Sequence, residues 1–83
     1  MHKINIIPSA RKDLDGLGKR FFTQIKNKII SLAPNPRPSG CLKLTAEEGY
    51  RIRSGNYRIL YRIDDKNKII YAYRIKHRKE SYR

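Results

Sequence analysis

The C-terminal part of the chain constrains the fold most. Three runs, residues 50–53, 57–64 and 68–76, alternate side-chain character with a period of two. They are separated only by Ser54-Gly55-Asn56 and Asp65-Lys66-Asn67. Turns this short leave adjacent strands no arrangement except antiparallel neighbours. Residues 50–76 therefore form a meander, and the rest of the chain must cover one of its faces.

Covering elements are present upstream. His2, Ile4 and Ile6 alternate with Lys3, Asn5 and Ile7, which predicts a short strand that Pro8 ends. Ser9 is a suitable N-cap for a helix over residues 10–17. Gly16 and Gly18 break it from a second helix over 19–33. Leu14, Leu17, Phe21, Ile25, Ile29 and Leu32 recur every three or four residues and form one apolar stripe. Pro34, Pro36, Pro38 and Gly40 stop the second helix in a rigid loop. A short strand at 41–44 and a loop at 45–49 lead into the meander. The expected class is α+β, with two N-terminal helices packed on one face of a small, mainly antiparallel sheet. With 83 residues the chain is a single domain, 1–83, able to bury only about 60% of its unfolded surface.

Strand parity divides the meander into two faces. Tyr57, Ile59, Tyr61 and Ile63 are expected to meet the helices, as are Ile69, Tyr71, Tyr73 and Ile75. The other face is expected to carry Arg51, Arg53, Arg58, Arg62, Arg74 and Lys76 around a small apolar floor of Leu60, Ile70 and Ala72. The net charge is +13, from 20 Lys and Arg against seven Asp and Glu. Eleven of those bases but only three of the acids lie in residues 51–83. Solubility alone explains a charged sheet face, but lysine would serve it equally well. Five arginines on one face, with no acid alternating among them, offer planar forks that grip phosphate and stack on bases. A polyanionic partner follows, and nucleic acid is the expected one.

Several classes are set aside. Cys41 is the single cysteine, so neither an intramolecular disulfide framework nor a multi-Cys zinc site is available, and packing is its expected role. No metal or other cofactor is expected: His2 is isolated, Glu47 and Glu48 are adjacent and face different ways, and no Gly-rich phosphate loop or HExxH is present. No apolar run approaches the ~20 residues of a membrane span, and MHKINIIPSA lacks the apolar core of a signal peptide. A soluble, cytoplasmic protein is expected, with no membrane partner. The basic tail from Lys76 to Arg83 reads either as a frayed terminus or as part of a site, with His77 able to exchange a proton near neutral pH and Tyr82 able to stack or act as an acid or base.

Tyr50-Arg51-Ile52-Arg53-Ser54-Gly55-Asn56-Tyr57-Arg58-Ile59-Leu60-Tyr61, followed by His77-Arg78-Lys79-Glu80-Ser81-Tyr82, resembles the RelE/ParE toxin superfamily of prokaryotic type II toxin–antitoxin systems. The likeness extends over nearly the whole chain. It implies the same α+β fold. RelE-like members cleave mRNA in the ribosomal (30S) A site without metal, by attack of a ribose 2′-hydroxyl on the adjacent phosphate, and so inhibit translation. ParE-like members keep the fold and inhibit DNA gyrase. The G-x-Y-R-x-x-Y strand, the basic residues before it and the terminal H-R-x-x-x-Y favour the RelE-like activity. Carried over by position, the resemblance makes Arg51, Arg53, Arg58, Arg78 and Tyr82 the catalytic set. His77 is a candidate for proton transfer, and Arg62, Arg74 and Lys76 are candidates for holding RNA. RelE-like enzymes often have lysine at the positions of Arg51 and Arg53, and arginine, always protonated, is a poor base. The implied partners are an antitoxin with an acidic or amphipathic wrapping segment, mRNA on the ribosome and, through the antitoxin, operator DNA. A non-catalytic RNA- or ribosome-binding module needs only the basic face and is the remaining alternative.

Overall fold

The computed structural model describes residues 1–79. The chain runs β1 (Lys3–Ile6), α1 (Pro8–Asp15), α2 (Lys19–Ile30), β2 (Leu42–Lys43), β3 (Tyr50–Ser54), β4 (Tyr57–Asp64) and β5 (Ile69–His77). The five strands form one sheet in the order β1-β5-β4-β3-β2. The β2–β5 portion is the expected antiparallel meander, and β1 joins it parallel to β5. Both helices cover one face, giving the α+β layout read from the sequence. Among the described residues no helix is long and apolar enough to cross a membrane.

Local chemistry sets the helix ends. α1 begins at Pro8, two residues earlier than expected, with Ile7 at the N-cap and no side-chain cap. A proline costs nothing there, because the first helical N–H has no intrahelical acceptor. Ser9, freed from capping, donates its hydroxyl to the Tyr73 carbonyl at 2.6 Å. α2 ends at Ile30 rather than Ala33. Its continuation tightens into i→i−3 bonds, from Leu32 N to Ile29 O and Ala33 N to Ile30 O.

The core forms where the helix stripe meets the sheet. Ala10, Leu14, Ile25, Ile29 and Leu32 pack on Ile52, Ile59, Tyr61, Ile70, Ala72 and Ile75. Each large aliphatic among them contributes roughly 1.5–3 kcal/mol through burial. Phe21 departs from its expected place in the stripe and remains 41% exposed, while Phe22 packs partly against the core.

The parity reading of β5 is corrected from Ile69 to Tyr73 by a single bulge. Leu60 pairs with Arg74, but Tyr61 pairs with Ala72, so Tyr73 is an extra residue in the ladder. Such a bulge reverses the alternation beyond it. On its N-terminal side Ile70 and Ala72 point into the core, and Ile69 and Tyr71 lie on the uncovered face. Beyond it, Ile75 and His77 return to the helix side. The expected floor of Leu60, Ile70 and Ala72 is thus reduced to Leu60. Tyr73 is also uncovered, with the Arg62 guanidinium 5.2 Å from its ring centroid.

Two fastenings hold the sheet margins. β1 stops at Ile6, beside Ala72, so among the described residues the outer edge of β5 beyond that point is without a strand neighbour. α1 covers it: Ser9 takes the Tyr73 carbonyl, and the Asp13 carboxylate accepts from Ile75 N at 2.8 Å and Arg74 Nε at 3.1 Å. At the β4–β5 turn, Arg37 from the proline loop forks onto Asp65 at 2.8 and 3.3 Å and donates to the Tyr50 hydroxyl at 3.0 Å. Tyr61 donates its hydroxyl to Pro36 O at 2.7 Å. The Arg37 bond holds the Asp65 carboxyl below its ordinary pKa. Burial, above all, pushes the Tyr61 phenol above its own.

Candidate RNA-cleaving site

Register places the arginines. Arg53 on β3 lies opposite Arg58 on β4, and Arg58 lies opposite Lys76 on β5. These three cations form a row across the uncovered face. The next row on that face is Arg51, Leu60 and Arg74. Two residues along a strand separate the rows, about 6.6 Å. Like charges directly opposite one another are unfavourable in a sheet, and an anion set over the row relieves that repulsion.

The first row ends in a pocket. Arg53, Gly55, Asn56, Tyr57, Arg58 and Arg78 line an opening of about 190 Å³ at the β3–β4 turn. Arg58 is 7% exposed, so its side chain is largely packed, and it is one of the residues that line the opening. Arg78 arrives from beyond β5, its backbone N–H bound to Asn56 O at 2.6 Å. The turn depends on Gly55, whose φ of 60° is the left-handed conformation that glycine adopts freely. Three arginines lining one small opening have the chemistry to hold a phosphate. Their fixed positive charge can stabilise a phosphorane with little reorganisation.

The other predicted residues are distributed unevenly. Arg51 is half-buried on the uncovered face, one row from the pocket, and Lys76 is half-buried beside Arg58. Arg62 is exposed on the same face, towards the opposite end of β4. Arg74 is drawn to the sheet margin by Asp13, where the pair serves the β5 edge. His77 pairs with Tyr57 on the helix side of the sheet. Its ring stands edge-on to Tyr57 at 5.2 Å, and its Nδ1 accepts from Lys79 N at 3.2 Å. The structure does not bring His77 to the face of Arg58. Tyr82 lies outside the described residues.

Sequence reasoning missed Asn56 and Lys79. Asn56 lines the arginine pocket and also a neighbouring opening of about 340 Å³ formed with His77, Arg78 and Lys79. The available signal was the turn itself, because the residue between Gly55 and Tyr57 must sit at the end of the hairpin that carries Arg53 and Arg58.

This is the fold and charge arrangement of a small bacterial or archaeal toxin, and comparison with known proteins bears that out. The family model described as the ParE toxin of the type II toxin–antitoxin system parDE matches residues 4–82. Toxin RelG of Mycobacterium tuberculosis is 30% identical over 84 residues, covering 99% of this chain and 97% of its own length. Among solved structures, the toxin–antitoxin complex RelBE2 of M. tuberculosis contains a chain 29% identical with a TM-score of 0.84, covering 93% of this chain and 98% of that one. The archaeal RelE–RelB complex of Pyrococcus horikoshii OT3 gives 26% identity and a TM-score of 0.78, covering 93% of this chain and 94% of that one. The chain belongs to the RelE/ParE toxin superfamily of type II toxin–antitoxin systems.

Proposed function

We propose that the chain is a metal-independent endoribonuclease that acts in the cytoplasm, cutting mRNA in the ribosomal A site and so halting translation. The observation that carries this reading is the convergence of Arg53, Arg58 and Arg78 on one pocket, with Lys76 beside Arg58 in register. The substrate ribose 2′-hydroxyl attacks the adjacent phosphorus as it loses its proton. The P–O5′ bond breaks, leaving a 2′,3′-cyclic phosphate, and the departing 5′-oxygen takes up a proton. Arg58 and Arg51 bear on the scissile phosphate, Arg53 on that phosphate or the RNA backbone, and Arg78 on the leaving oxygen. Arginine stays protonated throughout and stabilises charge rather than removing protons. Tyr82 is left as base or stacking platform. His77, on the other face, is the weaker candidate for proton transfer. Arg62 holds RNA beyond the cut.

A cognate antitoxin completes the proposal. The M. tuberculosis and P. horikoshii neighbours were both solved as complexes with their antitoxins. A net charge of +13 favours a partner segment that supplies carboxylates to the arginines and folds as it binds. Operator DNA would be met through that antitoxin.

The family model named for ParE favours a second reading, inhibition of DNA gyrase. The likeness to RelG and to the RelE chains, with the arginine pocket, weighs towards RNA cleavage. Induced expression followed by primer extension on cellular mRNA, with a gyrase assay in parallel, tests both. The nuclease reading expects cuts inside translated codons and an unaffected gyrase. Continuing translation with accumulating DNA breaks would establish the ParE-like activity instead. Binding to ribosomes without cuts would leave only a binding module.

A further inference from the structure

Arg53 and Arg58 stand on either side of the Gly55-Asn56 turn, so whatever fixes that turn fixes their spacing. Helix α2 reaches it from the covered side of the sheet. Gln24 Nε2 donates to Ser54 Oγ at 3.3 Å. The same nitrogen lies 2.8 Å from the point where a Cβ on Gly55 would sit, so the amide rests against the turn itself. Phe21, one helical turn earlier on the same side of α2, packs on Tyr57 with ring centroids 5.6 Å apart. Ser54 and Tyr57 are the last pair of the β3–β4 ladder. One strip of α2 thus holds both shoulders of the hairpin end. Beyond the turn, Asn56 O holds the Arg78 backbone N–H. Contacts therefore run from α2 through the turn to all three arginines of the pocket, although neither Gln24 nor Phe21 lines it.

We propose that Gln24 is a positioning residue for the arginine pocket. By holding Ser54 and the Gly55 turn while Phe21 holds Tyr57, it fixes the spacing of Arg53, Arg58 and Arg78 at which a phosphate in reaction is gripped. The inference rests on the nuclease reading of that pocket. Its physical basis is that catalysis by fixed charges tolerates little misplacement, about 100-fold in rate being lost for 1 Å. Gln24 does not titrate and sits outside the pocket, so it influences rate only through geometry.

The variants are Gln24→Met, which keeps the length and loses the hydrogen bond, Gln24→Glu, whose carboxylate accepts from the Ser54 hydroxyl, and Ser54→Ala. Single-turnover cleavage of mRNA on programmed ribosomes gives the rate and the half-saturating concentration for each. Gln24→Met is expected to slow cleavage about tenfold without changing half-saturation. Gln24→Glu should stay within about threefold of the unaltered chain. Ser54→Ala should match Gln24→Met, and the double variant should be no slower than either, because both remove one bond. A second readout needs no cleavage: amide hydrogen exchange at Arg78 should quicken in Gln24→Met while the thermal midpoint is unchanged. A wild-type rate in Gln24→Met, a loss of affinity in place of rate, multiplying effects in the double variant, or unchanged Arg78 exchange would overturn the inference. If the unaltered chain cuts no RNA, the nuclease reading fails first, and the Arg78 exchange then decides separately whether Gln24 braces the turn.

Discussion

Arg58→Met is the most direct perturbation of the proposed centre. Arg58 is 7% exposed, so its methylenes are packed, and truncation to alanine would mix two effects. The two methylenes lost beyond Cβ, at about 0.8 kcal/mol each, amount to about 1.6 kcal/mol of lost burial. Methionine keeps an unbranched stem of similar length and removes only the guanidinium. Loss of one donor aimed at developing negative charge typically slows the chemical step 100- to 1,000-fold, equivalent to about 2.7–4 kcal/mol. Binding to RNA alone offers an independent magnitude. Each phosphate contact on a single strand contributes about 0.7 to the slope of log affinity against log salt. Arg58→Met should lower that slope by about 0.7. The assay is single-turnover cleavage on programmed ribosomes, with a salt series of RNA binding and a thermal melt to show that the variant is folded. A folded Arg58→Met protein that cleaves at the wild-type rate, or that binds RNA with an unchanged salt slope, would refute the assignment of the pocket.

Other outcomes follow from the fastenings of the sheet. Asp65→Asn should destabilise the fold at neutral pH. Arg37 lowers the folded-state pKa of Asp65, so this stabilisation is present above the ordinary carboxylate pKa of about 3.9 and is lost as pH falls through the lower folded value. Melts from pH 7 down to pH 2 should show the difference between Asp65→Asn and the unaltered chain shrinking across that acidic range. Asp13→Ala strips the partner from the part-buried Ile75 N–H and from Arg74, and should cost about 1.5–3 kcal/mol in urea unfolding. Gly55→Ala should cost about 1–2 kcal/mol for the left-handed backbone, since the added methyl meets only the flexible tip of Gln24. Gly49→Ala should cost more in the same assay, because its φ is 133° and the methyl would meet the Tyr61 backbone carbonyl at 2.9 Å.

The elements were legible because each carries its own punctuation. Pro8, the Gly16/Gly18 pair, the proline loop and two short polar turns fall at the breaks between strands and helices, and β4 spans the residues alternation gave it. The parallel docking of β1 was not legible, because a four-residue strand joined through two helices carries no local sign of its partner. The bulge was hidden for a different reason. Ile-Ile-Tyr-Ala-Tyr is apolar at both parities, so hydrophobic alternation could not show where Tyr73 drops out of the ladder. Arg53 and Arg58 were brought to one face correctly because that relation depends only on a tight turn, which fixes register. His77 follows the parity of Ile75 to the helix side, beside Tyr57, whereas its candidacy for proton transfer came from the resemblance and not from strand alternation.

The two ends of the sheet divide the work of folding from that of binding phosphate. The β3–β4 turn gathers Arg53, Arg58 and Arg78, a cluster whose mutual repulsion opposes folding. The β4–β5 turn holds Asp64 and Asp65, the proline loop and the Arg37–Tyr50 bonds, which fasten the sheet with opposite charges. From Tyr57 to Asp64 the strand rises about 23 Å. That is nearly three Debye lengths at physiological salt, about 8 Å each, so the acids at one end leave the positive field at the other almost undiminished. In the proposed reading, RNA and the acidic segment of an antitoxin are both drawn to the arginine row. Two ligands drawn to the same positive field compete for it, and that competition is the physical basis on which a partner of this kind would silence the proposed activity.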